Sequence, residues 1–140
     1  HRSLHAAQAF KAGEILAGFG AAEKVISPNY LTVQVGETEH IMLSPRHLEL
    51  INHSCDPNVF FDVSSGELKA LKDIAKDEEL VFFYPSTEWR MDQPFQCHCR
   101  SEGCLEVIQG AAHLSEDVLE RYELNQHIRD LAKQSSVPAL

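Results

Sequence analysis

Along the first ninety residues the apolar positions come in short runs, and several of them alternate with polar ones. Tyr30-Leu31-Thr32-Val33-Gln34-Val35 has the two-residue period of a half-buried strand, Gly36 marks a turn, and His40-Ile41-Met42-Leu43 reads as the returning strand. Upstream, a turn at Lys11 to Gly13 leads into a short apolar strand through Phe19. Ser44-Pro45 predicts one turn of helix through Leu50, with Ser44 as N-cap and Pro45 at the first position. Asn58 to Val63 and Leu68 to Ile74 are two further strands, joined by Ser64-Ser65-Gly66 in a hairpin turn. The polar turn Lys76 to Glu79 precedes Leu80-Val81-Phe82-Phe83-Tyr84, a continuous apolar run suited to a buried strand, and Pro85 ends it for want of an N–H. The expected body is therefore about seven short strands with little helix. After Trp89 the pattern changes. Residues 91–112 read as a loop that needs an external staple, and from Leu114 the spacing becomes helical. Ser115 is the expected N-cap, Val118, Leu119 and Tyr122 share a face, and Leu124, Ile128 and Leu131 continue it. Gln134 to Leu140 is expected to fray.

Composition narrows the class. With 140 residues the chain is expected to form one compact domain or one domain with a small satellite, and 44% apolar with 24% charged residues excludes a largely disordered protein. Twelve Lys and Arg against 21 Asp and Glu give 12 − 21 = −9, so no basic surface is expected and direct nucleic-acid binding is disfavoured. The same balance suits a cationic substrate. No apolar run approaches the roughly 20 residues that cross a bilayer, and no basic segment followed by an apolar stretch opens the chain, so neither membrane nor secretion is expected.

The four cysteines, Cys55, Cys97, Cys99 and Cys104, carry the first chemistry. The spacing Cys-x-Cys-x4-Cys lets three thiolates wrap one tetrahedral ion, and Cys55, more than 40 residues upstream, supplies a fourth that ties the loop to the body. One structural zinc is the favoured reading. Two disulfides and four unrelated buried thiols are the alternatives; the first would strain a Cys97–Cys99 bridge. Reduced cysteines favour an intracellular setting, cytoplasm or nucleus.

Asn52-His53-Ser54-Cys55-Asp56-Pro57-Asn58 packs two Asn, a His and one of these cysteines into seven residues. Together with Glu79-Leu80-Val81-Phe82-Phe83-Tyr84, with Phe95-x-Cys-x-Cys-x4-Cys, and with an opening Arg2 to Ala6 followed by Gly13-Glu14, it resembles the SET-domain methyltransferases over roughly residues 1–110. The resemblance implies a mainly β fold of small curled sheets with a pseudoknot, through which the Tyr84 segment is threaded, plus a C-terminal helical segment. It divides the chain into a SET domain at 1–90, a post-SET zinc-binding segment at 91–112 and a helical tail at 113–140. S-adenosylmethionine (SAM) would lie against Arg2, Ser3, Leu4, Asn52 and His53, with Phe95 over the adenine. The acceptor amine would enter from the opposite face, with Phe82, Phe83 and Trp89 lining its channel and Tyr84 where the two meet. Cys55 would join Cys97, Cys99 and Cys104 on zinc. Phe82 stands where the family chooses between Phe and Tyr; Phe leaves room for more than one methyl group.

Methyl transfer from a sulfonium to an amine demands alignment and a neutral nucleophile. A lysine of pKa near 10.4 is rarely neutral at pH 7, and an apolar channel beside a sulfonium lowers that pKa. Tyr84 would orient the amine and accept weak C–H···O contacts from the methyl group. The chain departs from the family at Ser3, where glycine is usual, at Glu49, where an arginine is usual, and in the roughly 30 residues between the first strand and Asn52, which leave little for a peptide groove. The expected function is SAM-dependent methylation of an amine, foremost a protein lysine, by a monomer. A SAM- or partner-binding module without turnover and an enzyme of small-molecule amines are the alternatives.

Overall fold

The computed structural model describes residues 2–136, as ten short strands in four small sheets and two short α-helices. β1 (Ile15–Gly18), β7 (Glu67–Ala70) and β6 (Val59–Asp62) form one antiparallel sheet in the order β1-β7-β6. β6 and β7 are the expected hairpin, and Gly66 holds φ 70° at its turn, in the left-handed region that glycine enters without strain. A second sheet runs β2-β4-β3, from Gly20–Val25, His40–Ser44 and Val33–Gln34. β5 (Asn52–His53) and β8 (Val81–Phe82) are a parallel pair, and β9 (Phe95–Gln96) with β10 (Val107–Ile108) is an antiparallel pair inside the cysteine-rich segment.

Several expectations change in detail. β2 has no counterpart in the sequence reading, because its residues are exposed and show no alternation. The run from Tyr30 shortens to β3: the Asn29 carboxamide oxygen takes the Leu31 N–H at 2.8 Å and holds the chain in a turn that the strand cannot include. The turn of helix after Ser44 is a 3-10 turn, Arg46–Leu50; Ser44 ends β4 and Pro45 itself is the cap, so Ser44 caps nothing. Ser115 does cap α1 (Glu116–Leu119), accepting the Val118 N–H at 3.3 Å. The helical pattern then breaks, and α2 spans Gln126–Ser136, so Gln134 and Ser135 are helical rather than frayed; residues 137–140 lie outside the described residues.

The main core lies between the sheets and contains Leu43, Ile51, Val59, Phe61, Leu68, Ile74 and Phe82, all buried. Through it runs the segment 78–82. On one side Leu80 N–H donates to the Leu4 carbonyl and Ala6 N–H to Glu78, and on the other β8 pairs with β5. Asn58 stitches this crossing: its amide donates to the Glu79 carbonyl and the Glu78 carboxylate, both at 2.9 Å, and its oxygen accepts the Val81 N–H at 2.9 Å. The segment is thus paired on both sides by chain distant in sequence. The tail packs as a separate cluster of Ala111, Leu119, Leu124 and Ile128 with Trp89 against it. Gly110, at φ 104°, lets the chain pass close to residue 89; a Cβ there would lie 2.5 Å from the Trp89 carbonyl oxygen.

Candidate active site

A cavity of about 820 Å³ opens beside β5 and β8. Val81, Phe82 and Tyr84 line the cavity, while Phe83 is buried away from it. The Tyr84 hydroxyl donates to the Ile51 carbonyl at 3.5 Å. Burial, aided by the nearby Glu88 carboxylate, pushes its pKa up to about 12, so the phenol keeps its proton at neutral pH. Phe95 stands edge-on to Tyr84, ring centroids 5.7 Å apart, and lines the same cavity.

His53 joins this group to the cysteines. Its Nδ1 accepts the Tyr84 N–H at 3.1 Å, which leaves the proton on Nε2, 3.4 Å from the Cys55 sulfur. Burial lowers its pKa to about 4, consistent with a neutral ring. Both ring nitrogens are thus engaged by the protein, and a ligand meets His53 through its ring face or backbone. Asn52 is likewise tied in: its amide donates to the Arg2 carbonyl at 2.7 Å and toward the Glu79 carboxylate at 3.3 Å. Both residues line the cavity while bracing its wall.

The four cysteines come together although Cys55 is far off in sequence. Their sulfurs all lie within 4.8 Å of one another, and Cys55 and Cys97 are 3.9 Å apart. Sulfurs about 2.3 Å from a tetrahedral zinc sit roughly 3.8 Å from each other, so the donor set and its size fit a single ion. All four are free thiols, so the alternative of two disulfides does not hold. Leu105 N–H donates to Cys55 Sγ at 3.3 Å, a contact that favours thiolate, whereas burial raises Cys55 well above the usual thiol range.

Other predicted residues sit elsewhere. Phe83 is buried and stacks face to face on Tyr122, centroids 3.6 Å apart, whose hydroxyl donates to the Cys55 carbonyl. Trp89 packs on the tail cluster. Neither lines the cavity, so the channel expected of Phe82, Phe83 and Trp89 keeps Phe82 alone. Arg2, Ser3 and Leu4 are also outside its lining. Arg2 contributes its carbonyl to Asn52, the Ser3 hydroxyl is 2.9 Å from His5 Nε2, and Leu4 packs on the core.

Sequence reasoning missed the acids. Glu49, Glu79, Glu88 and Asp92 line the cavity, and no Lys or Arg does so among the described residues. Glu88 is 8% exposed, accepts the Gln34 N–H at 2.8 Å, and has its pKa pushed up to about 7 by burial against the pull of that N–H. Gln34 grips the same corner a second time, its carboxamide oxygen accepting the Trp89 N–H at 2.8 Å. The only signal was Glu49 standing where a cation is usual; Glu88 had none, since a lone acid after a strand carries no pattern.

With this geometry in hand, the comparisons place the chain. A family model described as SET domain matches residues 1–85. "Methyltransferase flvH" of Aspergillus flavus is 41% identical over 133 residues, covering 92% of this chain and 74% of its own length. The "Histone-lysine N-methyltransferase, H3 lysine-4 specific" of Aspergillus fumigatus is 39% identical over 61 residues, 39% of this chain and 5% of that much longer protein. Among solved structures, KRYPTONITE in complex with mCHG DNA and SAH superposes with a TM-score of 0.58 at 18% identity, covering 75% of this chain and 26% of that one. The chain belongs to the SET-domain family of methyltransferases, the class that its small sheets match. SAM is the methyl donor of that class.

Proposed function

We propose that this protein transfers the methyl group of SAM to an aliphatic amine, with the side chain of a protein lysine as acceptor. The observation that carries the reading is Tyr84: a protonated phenol at the base of a cavity, bonded to the Ile51 carbonyl and backed by Phe82 and Phe95. An amine entering along Phe82 leaves its proton to water, because an apolar wall penalises the ammonium. The nitrogen lone pair then forms the N–C bond as the S–C bond breaks, and the thioether leaves. Tyr84 and the Ile51 carbonyl offer oxygens that orient the nitrogen and accept weak contacts from the polarised methyl hydrogens. Histone-lysine relatives support lysine as acceptor. A free small amine is the second reading, favoured by the acid lining. We read the cysteine cluster as a zinc site: Cys55, Cys97, Cys99 and Cys104 would hold the ion, which would supply a structural clamp. Asn52, His53 and Phe95 would form the SAM side of the cavity.

The test is incubation with radiolabelled SAM and three acceptor pools, namely core histones, whole-lysate protein and lysate small molecules. Label is expected on amine nitrogen. Tyr84→Phe should lower kcat by roughly a hundredfold or more, as loss of one preorganised hydroxyl does, with SAM affinity nearly unchanged in calorimetry. Full activity of Tyr84→Phe would sink the assigned role, and absence of SAM binding would sink the reaction.

A further inference from the structure

The acid lining contains one group that the methyl-transfer geometry leaves unused. Glu49 lies within the 3-10 turn Arg46–Leu50, two residues before the Ile51 carbonyl that receives Tyr84, and it lines the cavity. Its side chain is only 10% exposed, and its Oε1 is buried with no hydrogen-bond partner. The nearest cation, Arg46 Nε, is 3.8 Å from that oxygen, beyond hydrogen-bond reach, and the Arg46 side chain is 77% exposed. A buried carboxylate oxygen without a donor costs free energy unless something supplies one. Glu88 is different, since the Gln34 N–H already occupies it.

The positions of the two acids limit what the donor can be. A carboxylate paired with the reacting nitrogen would hold that nitrogen as ammonium and block attack, so the nucleophile cannot be the group that satisfies Glu49. A second cationic group on the same molecule can, through a rotation of the carboxylate that brings Oε1 to the cavity face Glu49 lines. Its attraction to the cavity is unopposed, because no Lys or Arg lines the cavity among the described residues and the whole chain carries a net charge of −9.

Resting on the methyl-transfer reading, we propose that Glu49 is a specificity residue that binds a second positive charge carried by the acceptor. The acceptor class is an aliphatic amine with an additional cationic centre, either a free diamine or a lysine flanked by a basic residue. The donor is not the partner of Glu49: the SAM side of the cavity is built from Asn52, His53 and Phe95.

The experiment compares straight-chain monoamines with the matching α,ω-diamines, and lysine peptides with and without an adjacent arginine, under radiolabelled SAM. The wild-type protein is expected to favour the dicationic member of at least one pair by about tenfold or more in kcat/KM, the worth of one charge-assisted hydrogen bond. Which pair responds identifies the source. Glu49→Gln should raise KM for that acceptor by a similar factor while kcat, KM for the singly charged partner and SAM affinity in calorimetry stay level. Equal use of singly and doubly charged acceptors by the wild type overturns the inference and leaves methyl transfer standing. Loss of SAM affinity in Glu49→Gln also overturns it, by assigning the carboxylate to the donor. Label on no acceptor overturns the methyl-transfer reading and this inference together.

Discussion

The sheet body and the cysteine-rich segment are held together by different physics. The body buries Leu43, Ile51, Val59, Phe61, Leu68 and Ile74 to within 2% of full enclosure, and each aliphatic or aromatic side chain so buried contributes on the order of 2 kcal/mol. The segment 91–108 offers Ile108 and little else: its cluster is built on Cys55 and Cys97, with Phe95, Met91 and Leu105 only half-buried around them. Its two strands are two residues each, too short to stand alone. A stretch that buries so little apolar surface needs a staple, and the four sulfurs are where a metal ion would supply one. Yet this weak segment supplies Phe95 and Met91 to the cavity, whereas the strong body supplies Tyr84 and Phe82. The site is half rigid and half conditional.

The largest effect should come from attacking the staple. Removing metal with a strong chelator, or substituting Cys99→Ser, withdraws a binding free energy that for structural zinc in small peptides is on the order of 10 kcal/mol. Hydrogen exchange should then rise sharply across residues 91–108, while β6 and β7 keep their protection. SAM affinity should fall with it, because Phe95 and the His53–Cys55 contact belong to both regions. Uniform loss of protection throughout the chain would contradict the division drawn here.

A middle-sized effect should mark how the helical tail is fastened to the body. Asn125 makes the densest set of these contacts: its amide donates to the Phe61 carbonyl at 2.8 Å and the Ser86 carbonyl at 2.9 Å, and its oxygen accepts the Val63 N–H at 2.9 Å. Asn125→Ala strands these groups in a buried place and should cost about 3–5 kcal/mol, read as a lower urea midpoint with the m-value preserved. A change under about 1 kcal/mol would mean the tail is held by its apolar contacts instead.

Those fastenings explain what the sequence could and could not disclose. The β6–β7 hairpin was legible because alternation, turn chemistry and Gly66 agree. The cysteine cluster was legible because ligand spacing is a geometric statement. The break between α1 and α2 was not, since the apolar spacing continues through it and the reason for the break is Asn125, whose partners are more than thirty residues away. β2 was invisible for lack of alternation. Phe83 was misplaced because a continuous apolar run does not disclose which of its side chains faces the cavity, and Phe83 is taken up by Tyr122 of the tail. Glu88 was beyond reach, because a single acid acquires its meaning only from the Gln34 backbone folded against it.

Glu88 gives the smallest and most discriminating effect, for it lies on the seam where β3 of the body meets the chain leading to the tail. Its pKa is raised from 4.5 to about 7, chiefly by burial. Between those values the folded protein holds a proton that the unfolded chain has released. Folding stability from this group is therefore complete below about pH 4.5 and is lost as pH rises through 7. The loss at neutral pH should be on the order of 2–3 kcal/mol relative to Glu88→Gln, which keeps an acceptor for the Gln34 N–H without the charge. Urea midpoints measured for both proteins from pH 4 to pH 8 should diverge, with the variant gaining on the wild type as pH rises. Parallel curves would show that water or a cation reaches the carboxylate and that the seam is open. Divergence that shrinks when a cationic acceptor is added would place that acceptor against the seam, joining the rigid half of the site to the conditional one.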